Sequence, residues 1–253
     1  MGKIIAIANQ KGGVGKTTTA VNLSACVADK GKKVSLIDLD PQGNATSGVG
    51  IEKSSVERSI YDVLINGEPI VTTILKTDYT NLWICPSSID LAGAEIELVM
   101  QEGREYKLRG AVRDVKDNFD FIFIDCPPSL GLLTLNAFAA IDGIIVPIQC
   151  EYYALEGLSQ LTNTIRRVKQ AYNAALDVEG VVLTMFDART NLSIQVVDEV
   201  KKFFGSKVYA TIIPRNVRLS EAPSFGQPII AYDINSRGAE CYSNLAEEVI
   251  GDL

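Results

Sequence analysis

With 253 residues, 47% of them hydrophobic, the chain is long enough to bury the core of one α/β domain and needs no second one. A formal net charge of −7 excludes a uniformly basic nucleic-acid binder, because neutralising phosphates takes clustered Lys and Arg. There is no histidine, and the five cysteines (Cys26, Cys85, Cys126, Cys150, Cys241) form no CxxC pair, so zinc and iron–sulfur sites lack ligands and any general base is a carboxylate or a water held by one.

Ile4 to Ala8 reads as a buried strand, and the segment before it is too short for a secretory signal. Next comes Gln10-Lys11-Gly12-Gly13-Val14-Gly15-Lys16-Thr17-Thr18, where glycines let the backbone curl and aim several N–H groups inward before a helix begins at Thr17. Such a loop is an anion cradle: the helix dipole adds positive potential, Lys16 reaches β- and γ-phosphates, and the Thr17 hydroxyl suits Mg²⁺. Gly13-Val14-Gly15 could instead open the GxGxxG of a dinucleotide site. Thr18 stands where its third glycine belongs, and such a site has no use for a Lys-Thr pair, so the phosphate loop is the stronger reading.

The helix Thr17–Asp29 leads to a second strand, Val34–Ile37, which runs into Asp38-Leu39-Asp40-Pro41-Gln42-Gly43-Asn44. Strand alternation points Asp38 and Asp40 to one side, toward the phosphates. Further strands are expected at Leu82–Cys85, Phe121–Ile124, Ile144–Ile148, Val181–Met185 and Val208–Ile213, seven in all. Helices are expected at Ala94–Met100, Tyr106–Val115, Leu132–Ala140, Leu155–Tyr172, Ile194–Phe204 and Glu240–Ile250. The fourth strand ends in Asp125-Cys126-Pro127-Pro128, an apolar run closed by an acid, which is the pattern that holds Mg²⁺ opposite a phosphate loop. This alternation predicts a mostly parallel sheet flanked by helices on both faces, with ligands at the strands' carboxyl ends, in a single domain spanning 1–253. No run reaches the roughly 18 apolar residues of a membrane helix, so a soluble cytoplasmic chain is expected.

Lys11-Gly12-Gly13-Val14-Gly15-Lys16-Thr17 departs from GxxxxGK[ST], because Gln10 replaces the first glycine and a second lysine follows. In this it resembles the deviant phosphate loop of the ParA/MinD superfamily. The likeness continues through the Asp38–Asn44 segment, Leu91-Ala92-Gly93-Ala94-Glu95, Asp125-Cys126-Pro127-Pro128-Ser129-Leu130, Gln149–Gly157 and Pro214-Arg215-Asn216, and it is nearest the chromosomal ParA/Soj partition ATPases. The resemblance implies a Mg-dependent ATPase with ATP and Mg²⁺ as its ligands. It implies that Lys11 reaches the phosphates of a partner subunit in an ATP sandwich dimer, and that Asp40 positions the attacking water. Asp38 would support the metal shell beside Thr17 and Asp125, while Pro214 and Asn216 contact adenine and Glu151 lies on the dimer face. Arg189 and Arg218 match arginines implicated in non-specific binding of double-stranded DNA. A ParB-type centromere-binding protein would stimulate hydrolysis, and the chain would be nucleoid-associated.

Relatives of other function are less well matched. A membrane-bound cell-division ATPase of the MinD type needs a basic amphipathic C-terminal helix, and here Tyr242–Leu253 is acidic. Iron–sulfur carriers and reductases need paired cysteines, and a tyrosine kinase of the superfamily carries a Tyr-rich tail. The phosphate loop begins ten residues in, so no N-terminal helix-turn-helix is expected.

Overall fold

A computed structural model describes residues 2–151 and 154–251, and the side chains of all of these except 154–159. Tyr152 and Tyr153 of the Gln149–Gly157 segment, and Asp252 and Leu253 of the acidic tail, lie outside the described residues. Alternation along β1 (Lys3–Ile7) and β5 (Phe121–Asp125) divides the core in two. Ile4, Ala6, Ile122 and Ile124 join one buried cluster, while Ile5, Ile7, Phe121 and Phe123 join the other. Both faces of these strands are apolar, which is the signature of a parallel sheet covered on both sides.

The other strands are β2 (Val34–Asp38), β3 (Leu75–Lys76), β4 (Leu82–Cys85), β6 (Gly143–Gln149), β7 (Asp177–Phe186) and β8 (Val208–Pro214). They form one sheet in the order β3-β4-β2-β5-β1-β6-β7-β8, parallel except for β3 against β4. Seven strands were expected and eight are found among the described residues. The extra one, β3, has only two residues, too few to carry a period-2 pattern.

Helices α1 (Lys16–Asp29), α2 (Asn44–Gly48), α3 (Leu91–Val99), α4 (Lys107–Arg113), α5 (Leu132–Ala140), α6 (Ala154–Ala171), α7 (Asn191–Phe204), α8 (Val217–Glu221), α9 (Ile229–Tyr232) and α10 (Arg237–Gly251) complete the fold. Buried residues of α3, α4, α5, α6 and α7 share the cluster of Ile4 and Ile122, and those of α1, α2, α8, α9 and α10 share that of Ile5 and Phe121. Helix α3 begins at Leu91, three residues before the expected Ala94, because Leu91 turns inward and is fully buried. Helix α4 is shorter at both ends than Tyr106–Val115. The short helices α2, α8 and α9, of four or five residues, were not anticipated, since one helical turn shows no periodicity. No helix among the described residues is long and apolar enough to cross a membrane.

All five cysteines are buried and free. Desolvation pushes the thiols of Cys26, Cys85 and Cys150 up to about 12. Between β7 and β8 the Tyr209 ring occupies the space a side chain at Gly180 would need. Gly180→Val should therefore cost about 2 kcal/mol by overpacking. Urea unfolding should show a lower midpoint at unchanged slope.

Candidate functional site

Asp38 and Asp125 end β2 and β5, and the parallel register sets them side by side. Both are fully buried. Burial is the main force raising the Asp38 carboxyl to about 6; hydrogen bonds from the Thr46 hydroxyl, Thr46 N–H and Asp40 N–H pull it down. The Thr46 hydroxyl and N–H both donate to Asp38 Oδ2 at 2.7 Å, and Asp40 N–H donates to Oδ1 at 3.2 Å. Asp125 has less support: among the described residues neither of its oxygens has a hydrogen-bond partner of ordinary geometry, and only the nearby Thr17 hydroxyl leans toward it. Burial, then the charge of Asp38, drives its pKa well up, while the nearby Thr17 hydroxyl and Lys16 oppose the rise. A buried carboxylate with two unused oxygens, beside a second carboxylate and a threonine hydroxyl, has the oxygen donor set of a Mg²⁺ site. The residues present thus fit the metal.

The phosphate loop starts at the end of β1, in the middle of the sheet. Asn9, buried, donates through Nδ2 to the Pro147 carbonyl at 2.8 Å and accepts from Lys11 N–H at 3.0 Å, tying the loop's first turn to β6. Gly13 and Gly15 adopt left-handed φ of 73° and 86°, and Gly15 feeds directly into α1. A β-carbon at Gly12 or Gly13 would meet nothing within 4 Å, so the cradle is open above the loop. Lys16 is buried and donates to the Lys11 carbonyl at 2.9 Å. Desolvation lowers its pKa, and Asp125, Cys126 and Asp40 counter that shift. Lys11 is half-buried, and its ammonium has no recorded partner among the described residues.

A pocket of about 400 Å³ continues from the loop. Gly15 and Thr18 of the phosphate loop and α1 line it together with Thr184, Met185, Pro214 and Asn216. The predicted base-contacting pair therefore shares a cavity with the phosphate loop. Asn216 spends its side-chain oxygen capping α8, where it accepts from Arg218 N–H at 2.8 Å. Met185 has a φ of +52°, an uncommon conformation for a non-glycine residue and one that tends to collect at binding sites. The Thr184 hydroxyl donates to the Val14 carbonyl at 2.9 Å, buried, so the wall of this pocket also holds the phosphate loop.

One expectation requires correction. Strand alternation does not place Asp40, because β2 stops at Asp38. Asp40 is instead aimed by a turn, in which its N–H donates to Asp38 and its Oδ1 accepts from Gln42 N–H at 2.9 Å. It still faces the site, since its charge acts on Lys16, Asp38 and Asp125. Glu151 accepts from Arg215 at 3.1 Å, just past the end of β6. Arg189 and Arg218 are exposed beyond the carboxyl ends of β7 and β8, and both are already ion-paired. Arg189 meets Asp187 through two bonds of 2.9 and 2.7 Å, and Arg218 meets Glu221 at 2.9 Å and Asp233 at 3.5 Å. Sequence reasoning missed Asn9, Thr46, Thr184 and Met185. Only their position just after or near a motif could have marked them.

Comparison with known proteins yields a consistent set. A family model described as an AAA domain matches residues 2–178. The sporulation initiation inhibitor protein Soj of Bacillus subtilis (strain 168) is 64% identical over 98% of both chains. The chromosome partitioning protein ParA of Myxococcus xanthus (strain DK1622) is 55% identical over 99% of this chain and 88% of its own length. Among solved structures, cobyrinic acid a,c-diamide synthase from Mycobacterium smegmatis with bound ADP and magnesium superposes with a TM-score of 0.86 at 38% identity, covering 99% of this chain and 94% of that one.

The Thr184 hydroxyl supplies a test of the loop's anchorage. Thr184→Val keeps the side chain's shape but strands the Val14 carbonyl, at a cost of about 1–3 kcal/mol. Titration with a fluorescent ATP analogue should show affinity about tenfold weaker, with the thermal unfolding profile still cooperative.

Proposed function

Since the chain belongs to the Soj/ParA family of chromosome-partitioning ATPases, we propose that its site works as a nucleotide-timed switch that holds DNA as an ATP-bound dimer and releases it on hydrolysis. The 64% identity with Soj, against 38% with the cobyrinic acid synthase, makes partitioning the reading. The single observation that carries the mechanism is the orphaned carboxylate of Asp125 beside the open phosphate loop.

The N–H groups of Gly12 to Thr17 would hold the phosphates of ATP, and Pro214 and Asn216, which line the pocket continuing from the loop, would contact its base. Thr17 and Asp125, with Asp38 behind them, would hold magnesium, which when bound would draw charge off the β- and γ-phosphates. Lys16, kept in place by the Lys11 carbonyl, has two further N–H donors for the phosphates. Asp40 has one oxygen engaged by Gln42 N–H and another for the attacking water. Asp38 orients Asp40 through its backbone and is a positioning residue. Lys11, with its ammonium unpaired at the mouth of the loop, reaches the phosphates of a second copy of the chain. Glu151 lies on the same dimer face, linked to Arg215.

Dimerisation is the step that allows a chain of net charge −7 to bind a polyanion, because it gathers two copies of Arg189 and Arg218 on one surface. Each arginine exchanges a carboxylate for a phosphate on binding. A ParB-type protein resets the cycle by stimulating hydrolysis, and the cytoplasmic chain is nucleoid-associated while ATP is bound. The direct test is whether the purified protein binds double-stranded DNA with ATP and fails to bind it with ADP. DNA binding that ignores the nucleotide would remove this reading.

Asp40→Ala should leave ATP affinity unchanged and abolish single-turnover hydrolysis, so that the dimer persists on size-exclusion chromatography. Wild-type turnover in this variant would take the water-positioning role from Asp40. At the DNA surface, Asp187→Asn releases Arg189 and should tighten binding to every sequence alike. Arg189→Glu should weaken binding and flatten its dependence on salt by about one counterion per contact. Titrations at several salt concentrations read both, and an unchanged affinity in Arg189→Glu would exclude this surface.

A further inference from the structure

We propose that Lys53 is a positioning residue for hydrolysis, whose ammonium locks the peptide unit that aims Asp40. The inference rests on the reading of Asp40 as the residue that orients the attacking water. Asp40 to Gly43 form a turn with two internal bonds: Gly43 N–H donates to the Asp40 carbonyl at 2.9 Å, and Gln42 N–H donates to Asp40 Oδ1 at 2.9 Å. Backbone and side chain of Asp40 are thus set by the peptides on either side of Gln42. The peptide unit joining Gln42 to Gly43 is engaged at one end through its N–H, and at the other its carbonyl accepts from Lys53 Nζ at 2.6 Å. A turn changes type by rotating a peptide plane, and a unit held at both ends cannot rotate without breaking both bonds. A cation on the carbonyl oxygen also polarises the unit and strengthens the bond its N–H makes to Asp40.

Two features separate Lys53 from an ordinary surface lysine. Glu52 precedes it and Glu57 follows, yet among the described residues its ammonium bonds only to the Gln42 carbonyl. Its stem lies over Gly43, where a β-carbon would come within 3.2 Å of Lys53 Cε and 3.4 Å of Cδ. Gly43 is buried, has a left-handed φ of 60° and is the last residue before α2, so the lysine covers the point at which the turn passes into the helix. On its inner side the same segment is fixed by Thr46, whose hydroxyl and N–H donate to Asp38. Asp40 therefore lies in a short stretch of chain held from within by a buried carboxylate and from without by Lys53. The inner hold belongs to the metal site. The outer one does not, and it can be removed without altering any group assigned to nucleotide or metal.

The test uses the full chain with saturating Mg-ATP. Lys53→Met keeps an unbranched stem over Gly43 and removes the donor, while Lys53→Arg keeps a donor. Lys53→Met should slow single-turnover hydrolysis about tenfold, with the affinity for a fluorescent ATP analogue and the thermal unfolding midpoint both unchanged. Lys53→Arg should return the rate to within about twofold of wild type. In isotope-labelled Lys53→Met the Gly43 amide should exchange faster with solvent, and the amides of β1, remote from the turn, should not. A wild-type rate in Lys53→Met would overturn the proposal. So would an arginine variant as slow as the methionine one, or a loss of rate matched by an equal loss of ATP affinity, which would make Lys53 a ground-state contact to the nucleotide. Asp40→Ala is run alongside to separate the two readings. If it stops turnover and Lys53→Met leaves the rate unchanged, the role of Lys53 alone falls; wild-type turnover in Asp40→Ala removes the reading of Asp40, and the role of Lys53 with it.

Discussion

Asp38 and Asp125 are placed side by side by the register of β2 and β5, both fully buried. Two adjacent buried carboxylates are unfavourable in any folded protein unless something compensates them. The chain compensates one. Asp38 is satisfied by Thr46 and Asp40, and those bonds shape the Asp38–Thr46 turn that aims Asp40. Asp125 stays unmet, and Lys16 close by remains partly desolvated. The site is thus held in a state that a dication and a polyphosphate improve, so binding energy becomes available to reorganise the loops around it.

Support for the phosphate loop comes from both flanks. Asn9 fastens its beginning to β6, and Thr184 on β7 holds Val14. Because Thr184 also lines the pocket beside Pro214 and Asn216, one residue both anchors the phosphate loop and walls the cavity that continues from it.

The motifs that carry charge or glycine were legible in the sequence, since a phosphate loop and an acid closing a strand follow from chemistry that few residue types can supply. Strands whose two faces alternate between core clusters, such as Ile4 to Ile7, were legible for the same reason. Asn9, Thr46 and Thr184 were not. Each is a small polar residue whose role depends on which backbone group it meets across the fold, and no local pattern records that. Asp40 shows the intermediate case: its function was read from a motif, while the geometry that aims it is a turn rather than the strand. The two-residue β3 and the single-turn helices fall below the length at which periodicity exists. The arginines beyond β7 and β8 were visible as residues, but not their carboxylate partners Asp187 and Glu221.

The five buried thiols lie in α1, β4 and α10 and just past β5 and β6, so they sample both faces of the sheet and the rim of the site. With no exposed competitor among them, a thiol reagent reacts only when the structure opens around a given cysteine. The molecule therefore carries five intrinsic gauges of local opening, one of them, Cys126, adjacent to Asp125. Their separate labelling rates, with and without nucleotide, would map which parts of the fold breathe and which tighten, without a single substitution.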